Sequence, residues 1–426
     1  MLWIALALVL LAALGAPFFA LIAAIALLGF HAQGYEPALV AVEIYRLAEM
    51  PVLVAIPLFT LAGYLLSESQ APRRLVRLTE AWFGWMPGGL AIVALVASAL
   101  FTALTGASGV TIVALGAVLF PALLHGRYRE NFSLGLITAS GSLGMLFAPA
   151  LPLIIYGVVA QQLNTTPGVR MEELFLAGIL PGLLMLLVLA VYSIWQAPRD
   201  VERASFRWSE ALAALKEARW ELPLPILVLG GIYSGRIAPS EAAAVTALYV
   251  FLVTVVIRRE VAFSRLPQVV REAMMLVGGL LVILGAAFAL TNYLIDAEIP
   301  TRLFEWVQAH VHSRAVFMLA LVVFLLLFGM LLEGYPAIVV LTPLILPIAI
   351  GYGMDPVHFG ILFIALLQIG LFMAPLGMNL FIASYRFRKP VTVVIRDSLP
   401  FFVLLLLTAL VITFVPQLSL ALLDRG

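Results

Sequence analysis

Apolar stretches long enough to cross a lipid bilayer recur along the whole chain, and they limit what it can fold into. About 20 apolar residues in a helix span the hydrocarbon core of a membrane. Of the 426 residues, 64% are hydrophobic and only 11% are charged, against about 25% charged in a typical soluble domain. The sequence therefore predicts an all-α polytopic membrane protein. The apolar segments lie at about 2–30, 48–67, 88–124, 131–157, 174–196, 222–257, 275–295, 315–350, 357–384 and 399–421.

The distribution of charged residues excludes several classes of function. The 24 basic and 23 acidic residues nearly cancel, which gives no electrostatic reason to expect a nucleic-acid partner. The absence of cysteine excludes disulfides and thiolate-bound metals. A membrane enzyme would need clustered His, Asp or Glu at membrane depth, and the two interrupted segments 88–124 and 315–350 contain one acidic residue, Glu333. We therefore expect no enzyme.

Two apolar segments are interrupted where a membrane helix should be regular. In GSLGMLFAPALPLIIYG, residues 141–157, Gly144 and Pro149 fall in the middle of the span, and GLFMAPLGMNLF at 370–381 is similar. Proline removes a backbone donor, and irregular backbone at membrane depth is tolerated only where it is buried in protein or lines a cavity. The sequence therefore predicts two broken helices, within 131–157 and 357–384.

Two further segments are too long for one span and carry a glycine-containing interruption. The first, 88–124, contains TGASG at 105–109, and the second, 315–350, contains EGYP at 333–336. Each is either a pair of ordinary spans or a re-entrant helical hairpin that enters and leaves the membrane on one side. We call them the first hairpin (88–124) and the second hairpin (315–350).

An internal repeat relates the two halves of the chain at a shift of 226 residues. Each half contains one hairpin followed by one broken helix, and small residues or prolines match in register. The matched pairs are Pro121 with Pro347, Gly144 with Gly370, Ala148 with Ala374 and Pro149 with Pro375. Because cytoplasmic loops carry excess Lys and Arg, the basic clusters within 73–77, 127–129, 199–219, 258–271 and 386–396 indicate the cytoplasmic side. The first hairpin then opens to the cytoplasm and the second to the opposite side, so the repeats are inverted.

Inverted repeats with helices broken at matching positions are typical of secondary transporters, whose substrate and ion sites lie at the breaks. Unwound carbonyls bind cations and half-helix N-termini bind anions. The structural alternative is that Pro149 and Pro375 only kink helices that pack against other helices. The segments 68–86 and 197–221 are amphipathic and carry Trp beside basic residues, which predicts lateral helices at the membrane surface.

Several of these stretches together resemble one family, the large membrane subunit of tripartite ATP-independent periplasmic (TRAP) transporters, the DctM-like permeases. The similarity covers nearly the whole chain. The stretches that carry it are IPLFTLAGYLLSES (56–69), the first hairpin, GLITASGSLGMLFAPALPLIIYG (135–157), LFLAGILPGLL (174–184), IYSGRIAPSEAAAVTALY (232–249), GMLLEGYPAIVVLTPLILPIA (329–349), DPVHFGI (355–361) and IGLFMAPLGMNLFIAS (369–384).

The resemblance implies a sodium-driven importer of organic acids in the bacterial inner membrane. Its partners would be a small four-helix membrane subunit (DctQ-like) and a soluble periplasmic substrate-binding protein (DctP-like). The alternative is a stand-alone cation-coupled anion carrier or a proton-coupled antiporter of the same superfamily. The resemblance also implies an elevator, in which a transport domain moves against a scaffold. We divide the chain into 1–87 (scaffold and amphipathic arm), 88–173 (transport repeat 1), 174–314 (scaffold with the lateral helix 197–221), 315–398 (transport repeat 2) and 399–426 (C-terminal span).

The predicted binding residues lie at the hairpin tips and helix breaks. The predicted substrate ligands are Ser108, Ala150, Tyr156 and Asn379. The first predicted sodium site comprises Thr105, Gly106, Ser108, Ala148 and Pro149, and the second comprises Gly329, Glu333, Gly334, Ala374 and Pro375. Alternatively, the hydroxyls of Thr105 and Ser108 bond their own helix backbone, Glu333 carries a proton or caps a helix, and Asn379 makes a packing contact.

Two other polar features have a structural interpretation. Glu241 is expected in the first turn of a helix with Ser240 near the cap, where its charge is favourable. His310 and His312 have a spacing found in metal sites but are expected in a surface loop without a third ligand.

Overall fold

The protein is built from helices that follow the predicted apolar segments. A computed structural model describes residues 7–8, 10–12, 14–36, 38–163, 165–198, 205–233, 237–332 and 334–423, and these ranges contain no β-strand. Within them, seven helices are long and apolar enough to cross a membrane, or nine if each of two bent helix pairs forms one span. The prediction of an all-α polytopic membrane protein is confirmed.

The helices of the first half are α1 (Phe18–Ala32), α2 (Ala38–Ala48), α3 (Ala55–Glu68), α4 (Ala71–Phe83), α5 (Gly89–Thr105), α6 (Ser108–Ala114), α7 (Gly116–His125), α8 (Glu130–Ser140), α9 (Leu151–Gln162), α10 (Met171–Ala177) and α11 (Ile179–Trp195). Those of the second half are α12 (Trp208–Glu217), α13 (Pro223–Tyr233), α14 (Pro239–Phe251), α15 (Leu266–Asp296), α16 (Ile299–His310), α17 (Arg314–Leu331), α18 (Gly334–Gly351), α19 (Pro356–Gly370), α20 (Met378–Phe387), α21 (Val391–Phe414) and α22 (Gln417–Leu420).

Both predicted helix breaks are present. The first separates α8 from α9 and contains a 3₁₀ turn, Leu143–Leu146, with a 43° bend between the two parts. The second separates α19 from α20. The peptide bonds Ala148–Pro149 and Ala374–Pro375 are both cis.

The two hairpins also form where the glycine-containing interruptions predict them. The first consists of α5, α6 and α7, and its tip turns at Gly106, whose positive φ of 71° favours glycine over residues with a side chain. A Cβ at this position would also approach the Cβ of Leu151 at the start of α9 to 2.9 Å. The second hairpin consists of α17 and α18, and Glu333 at its tip lies outside the described residues.

The internal repeat has a counterpart in the packing of each hairpin on the break that follows it. A Cβ at Gly144 would lie 2.5 Å from the backbone nitrogen of Ala103 in α5. A Cβ at Gly370 would lie 2.6 Å from the carbonyl carbon of Gly329 in α17. Ala103 and Gly329 are themselves separated by 226 residues. The same close backbone approach therefore occurs at the same register in both halves, which supports a duplication.

Two groups of helices emerge from the contacts. Helix α15 packs against α1, α2 and α3, and α14 packs against α3. Helix α8 packs against α21, and α17 packs against α19. Helix α11, which belongs to the predicted scaffold range 174–314, packs against α5, the turn of the first break and α21. The division into a transport domain and a scaffold stays a prediction.

The two amphipathic segments, 68–86 and 197–221, are joined by a buried ion pair. The side chain of Arg74 in α4 is buried and donates to Glu221 (Nη2 to Oε1, 2.5 Å) and to Glu260 (Nη2 to Oε2, 3.0 Å). The neighbouring helix α12 packs against α4, where Arg77 forms ion pairs with Glu210 and Glu217. Charge pairing therefore ties α4 to the loops that flank α13 and α14.

A few local expectations need correction or refinement. His310 is the last residue of α16 and not part of a loop, and its Nδ1 lies 2.8 Å from the carbonyl oxygen of Trp306 in the same helix. Glu241 does occupy the first turn of α14, where it accepts a 2.9 Å hydrogen bond from the amide of Ala238. The capping residue is Ala238, and Ser240 lies near it in the first turn, as expected.

Candidate functional site

The tip of the first hairpin is joined to the second broken helix by a buried side-chain hydrogen bond. Ser108, the first residue of α6, donates from Oγ to Oδ1 of Asn379 at 2.8 Å. Both side chains are almost completely removed from solvent. Nδ2 of Asn379 is buried and has no hydrogen-bond partner among the described residues. A buried amide that lacks a partner costs free energy, so an unused donor at this place favours a bound acceptor.

The tips of the two hairpins also meet. The phenol of Tyr335, near the start of α18, donates to the carbonyl oxygen of Gly106 at 2.6 Å. Tyr335 lies two residues after Glu333 in the chain. The bond therefore brings the start of α18, the second helix of the second hairpin, next to Gly106 of the first predicted sodium site. The geometry of Glu333 itself lies outside the described residues.

Buried hydroxyl groups connect the first hairpin to the first break. Thr102 Oγ1 lies 2.6 Å from Thr111 Oγ1 and donates to the carbonyl oxygen of Gly141 at 2.9 Å. By contrast, Thr105 donates to the carbonyl oxygen of Phe101 in its own helix at 2.9 Å. Thr105 therefore follows the structural alternative in this conformation, and Thr102 and Thr111 are polar groups that the sequence did not single out.

The two breaks touch at residues that the repeat relates to each other. Ser142 donates from Oγ to the carbonyl oxygen of Gln368 at 3.1 Å. The amide nitrogen Nε2 of Gln368 contacts the sulfur of Met185 at 2.7 Å, while Oε1 is buried without a partner in the described part of the chain. Neither residue was predicted as part of the site, although the two are equivalent positions of the repeat, 226 residues apart.

The two breaks differ in exposure. At the first break, Ala148, Pro149 and Ala150 are buried. At the second break, Ala374 and Pro375 are exposed, and the side chain that follows them, Leu376, is 50% exposed. The two predicted ion sites are therefore equivalent in the sequence repeat but differ in their exposure to solvent.

Helix α11 explains why the first break is covered. A Cβ at Gly178 would lie 2.0 Å from the carbonyl oxygen of Leu146, and one at Gly182 would lie 2.7 Å from the ring of Phe147. Two glycines one turn apart let the helix axis come close to irregular backbone, as small residues do in membrane helix packing.

The remaining predicted residues have other surroundings. Tyr156 is fully buried in α9, and its hydroxyl donates to the carbonyl oxygen of Pro356 at 2.5 Å, which ties α9 to α19. Gly329 makes the close backbone contact with Gly370, and Gly334 begins α18 close to the side chain of Leu367. Their roles as ligands stay predictions.

The chemistry of the candidate site is that of neutral oxygen and amide groups. Among the described residues no group of three or more His, Cys, Asp or Glu side chains could hold a metal ion. Hydroxyl, amide and main-chain carbonyl oxygens surround the tip and the breaks instead. Such oxygen donors suit hard cations and not the softer transition metals.

The family comparison agrees with this architecture. The sequence profile described as "Tripartite ATP-independent periplasmic transporter, DctM component" matches residues 2–418. The chain belongs to this DctM family. The resemblance that the sequence stretches carried is therefore confirmed, and the protein is a large permease component of a TRAP transporter.

Several relatives are similar to this DctM protein over most of its length. The C4-dicarboxylate TRAP transporter large permease protein DctM of Pseudomonas aeruginosa is 34% identical over 386 residues, 90% of this chain and 88% of the relative. The ectoine TRAP transporter large permease protein TeaC of Halomonas elongata is 32% identical, with 87% and 86% covered. The isethionate TRAP transporter permease protein DctMQ of Oleidesulfovibrio alaskensis is 33% identical over 86% of this chain but only 57% of its own length.

A solved structure shares the fold of this DctM protein. The YdaH transporter of Alcanivorax borkumensis, described as having an unusual topology, matches with a TM-score of 0.61 at 17% identity. The match covers 89% of this chain and 88% of that structure. At this identity the likeness concerns the fold alone.

Proposed function

We propose that this permease imports a small organic acid across the bacterial inner membrane, driven by a sodium gradient through an elevator movement. The observation that carries the proposal is the buried bond between Ser108 and Asn379, which joins the first hairpin tip to the second break and leaves one amide donor unused. Transporters with broken helices bind their substrates at the interface of the repeats, which supports a substrate site at this donor.

The candidate site fits an anion that is neutralised by cations. Asn379 Nδ2 donates to a carboxylate oxygen, and the oxygen atoms of the tips and breaks coordinate sodium. Carrying an uncompensated charge through the hydrocarbon core is expensive, so substrate and cations move together. Ser108 sets the orientation of the Asn379 amide, because its hydroxyl fixes Oδ1 and thereby directs Nδ2.

The names of the relatives support a small polar substrate. They give C4-dicarboxylates, isethionate and ectoine as the transported compounds. C4-dicarboxylates and ectoine contain carboxylate groups, and isethionate contains a sulfonate group. We infer that a single anionic group with two or more equivalent oxygens is what Asn379 recognises in this chain.

We further propose that the permease works with two partners, a small four-helix membrane subunit (DctQ-like) and a soluble periplasmic binding protein (DctP-like). The family description names a tripartite transporter. The fusion name DctMQ of one relative supports a direct association of the small and large membrane subunits.

The test is uptake by proteoliposomes that contain the permease with its small subunit. The cognate binding protein is added with its ligand, and a sodium gradient, a proton gradient or no gradient is imposed. We expect uptake only with sodium and only with the binding protein. Uptake driven by protons alone would favour the proton-coupled alternative, and uptake without the binding protein would favour a stand-alone carrier. Uptake that is indifferent to both gradients would overturn the proposal.

A further inference from the structure

Two adjoining cavities lie where the ends of three membrane helices meet, outside the candidate transport site. One has a volume of about 460 Å³ and the other of about 200 Å³. They lie between the start of α8, the end of α11 and the start of α21. Both are lined by Arg129, Asn131, Arg396 and Asp397. Because the two cavities share these four lining residues, they adjoin each other, and we refer to them together as the α8–α21 cavity.

The polar part of the α8–α21 cavity contains charges of both signs. Lys389 forms an ion pair with Glu130, and Arg396 Nε donates to Asp397 Oδ1 at 3.1 Å. Arg129 has no ion pair in the described part of the chain. The Asp397 side chain is only 4% exposed, whereas the Arg396 side chain beside it is 74% exposed. Among the described residues, the cavity therefore offers a guanidinium without an acidic partner and a buried carboxylate held by one exposed partner.

The other part of the cavity wall is aromatic. The ring of Phe401 lies 5.6 Å from that of Phe132 and 5.3 Å from that of Tyr192, measured between ring centroids. Pro400 completes this wall. A ligand that fills the whole cavity must combine ionic groups with an apolar portion, because polar and apolar linings lie side by side.

The position of the cavity indicates that this ligand comes from the membrane. Helix α11 ends at the exposed Trp195, and tryptophan is enriched at the membrane–water interface. Helices α10 and α11 together, and helix α21, qualify as membrane spans, and α11 and α21 carry exposed apolar side chains. These side chains include Leu187, Val191, Leu399 and Val403.

We propose that the α8–α21 cavity binds a membrane phospholipid with a phosphoethanolamine headgroup. Arg129 and Lys389 bind the phosphate, and the primary ammonium donates to the carboxylate of Asp397. The glycerol backbone packs on Phe132, and the acyl chains follow the outer faces of α11 and α21.

The charge pattern selects this headgroup over other common ones. A phosphatidylglycerol headgroup has no cation for the buried carboxylate of Asp397. A phosphatidylcholine headgroup carries a quaternary ammonium, which has no N–H to donate to a carboxylate oxygen. A primary ammonium supplies three donors, as the lysine side chain does.

The experiment is a competition measured by native mass spectrometry on the purified, detergent-solubilised permease. The protein is offered equal amounts of phosphatidylethanolamine, phosphatidylglycerol and phosphatidylcholine with identical acyl chains. We expect phosphatidylethanolamine to be retained best by the wild-type protein. Asp397→Asn should lower its retention about tenfold relative to phosphatidylglycerol, because a charge-assisted hydrogen bond is lost. Arg129→Gln should lower the retention of all three lipids, since all three contain the phosphate.

The matched controls come from a surface ion pair outside the cavity. Arg265 lies 3.3 Å from Glu68, and both are partly exposed. Arg265→Gln and Glu68→Gln change the charge of the protein by the same amounts as the cavity variants, and they should leave the lipid preference unchanged. A change in these controls equal to that in the cavity variants would assign the preference to net charge and overturn the proposal.

Three further outcomes would contradict the proposal. The first is equal or better retention of phosphatidylglycerol or phosphatidylcholine by the wild-type protein, a comparison that needs no variant to fold. The second is an unchanged preference in an Asp397→Asn protein that unfolds at the wild-type temperature. The third is displacement of the lipid by soluble glycerophosphoethanolamine at equal concentration, which would make the ligand a soluble phosphate ester. If Asp397→Asn fails to fold, the same comparison is made with Lys389→Gln, for which we expect weaker retention of all three lipids.

Discussion

Ser142 Oγ donates a hydrogen bond to the carbonyl oxygen of Gln368 at 3.1 Å, and these two residues are equivalent positions of the internal repeat, 226 residues apart. Each lies just before the break of its own broken helix. Equivalent residues of two inverted repeats approach each other only near the axis that relates the repeats. The bond therefore joins the two halves close to this axis and couples the position of one break to that of the other.

Replacing Ser142 by Ala should destabilise the protein. The buried carbonyl of Gln368 loses its donor, which costs about 1 kcal/mol. Thermal unfolding of the purified protein followed by intrinsic fluorescence measures this loss. Ser193→Ala is the matched control, because Ser193 is equally buried but donates only to Leu189 of its own helix at 2.7 Å. Equal destabilisation by both variants would contradict a special role for the contact between the breaks.

Two hydroxyls at the first hairpin tip should differ in their effect on transport. Ser108→Ala removes the bond that orients Asn379, and we expect uptake at low substrate concentration to fall about fivefold, which corresponds to one ordinary hydrogen bond. Thr105→Val should have a smaller effect, because Thr105 donates to Phe101 within its own helix. Initial uptake rates in proteoliposomes give the comparison. A larger loss for Thr105→Val would instead place a sodium ligand at Thr105.

Gly144→Ala and Gly370→Ala should both destabilise the protein by about 2 kcal/mol, as overpacking of a close-packed interior does. The added methyl groups would meet backbone atoms at 2.3 Å and 2.6 Å, and backbone cannot move aside as a side-chain end can. Gly278→Ala in α15 has open space around it and should instead stabilise its helix by about 0.5–1 kcal/mol. Thermal unfolding of the three variants provides the measurement. Tolerance of Ala at only one of the two break positions would show that the repeats are not packed equivalently.

The pairing of Glu260 with Arg74 should make stability depend on pH. Burial alone would raise the pKa of Glu260, but the hydrogen bonds from the side chain of Arg74 and the amide of Gln70 outweigh it and hold the pKa below its ordinary value of 4.5. A carboxylate with a lowered pKa in the folded state stabilises the protein at pH values above its ordinary pKa. This stabilisation is lost as the pH falls below 4.5 and passes through the lowered pKa.

Glu260→Gln should therefore lower the unfolding temperature at pH 7, by a loss of about 2 kcal/mol for a hydrogen bond to a charged group. It should also reduce the further loss of stability between pH 5 and acid pH, which a series of melting curves measures. Glu68→Gln, at an exposed ion pair with Arg265, is the control and should change little. A Glu260→Gln protein with the wild-type pH profile would show that the acid sensitivity arises elsewhere.

Proline and glycine residues predicted where the helices are interrupted, but not which segments pack around the interruptions. Proline and glycine act on the backbone of their own residue, so Pro149, Pro375 and Gly106 could be interpreted without tertiary contacts. The contact partners of these positions come from distant parts of the chain. Helix α11 covers the first break through Gly178 and Gly182, and no feature of the break itself indicates this.

The candidate site was predicted only in part for the same reason. Ser108 and Asn379 were selected separately, each because a polar side chain follows an interruption. Their hydrogen bond links positions 271 residues apart, which only the folded chain brings together. Tyr335 was missed because tyrosine within an apolar segment resembles a packing residue. Tyr156 was predicted as a substrate ligand, but its hydroxyl donates to the carbonyl oxygen of Pro356.

The sequence by itself determined the class of the protein, its family, the two hairpins, the two breaks and the repeat that relates them. These properties depend on composition, on residues that act locally and on a fixed spacing. The tertiary structure alone decided that equivalent breaks differ in exposure, that Ser142 reaches Gln368, and that Asn379 keeps an unused donor. The physical reason is that burial and hydrogen-bond satisfaction depend on which segments meet in space, and neither composition nor the local action of a residue determines those meetings.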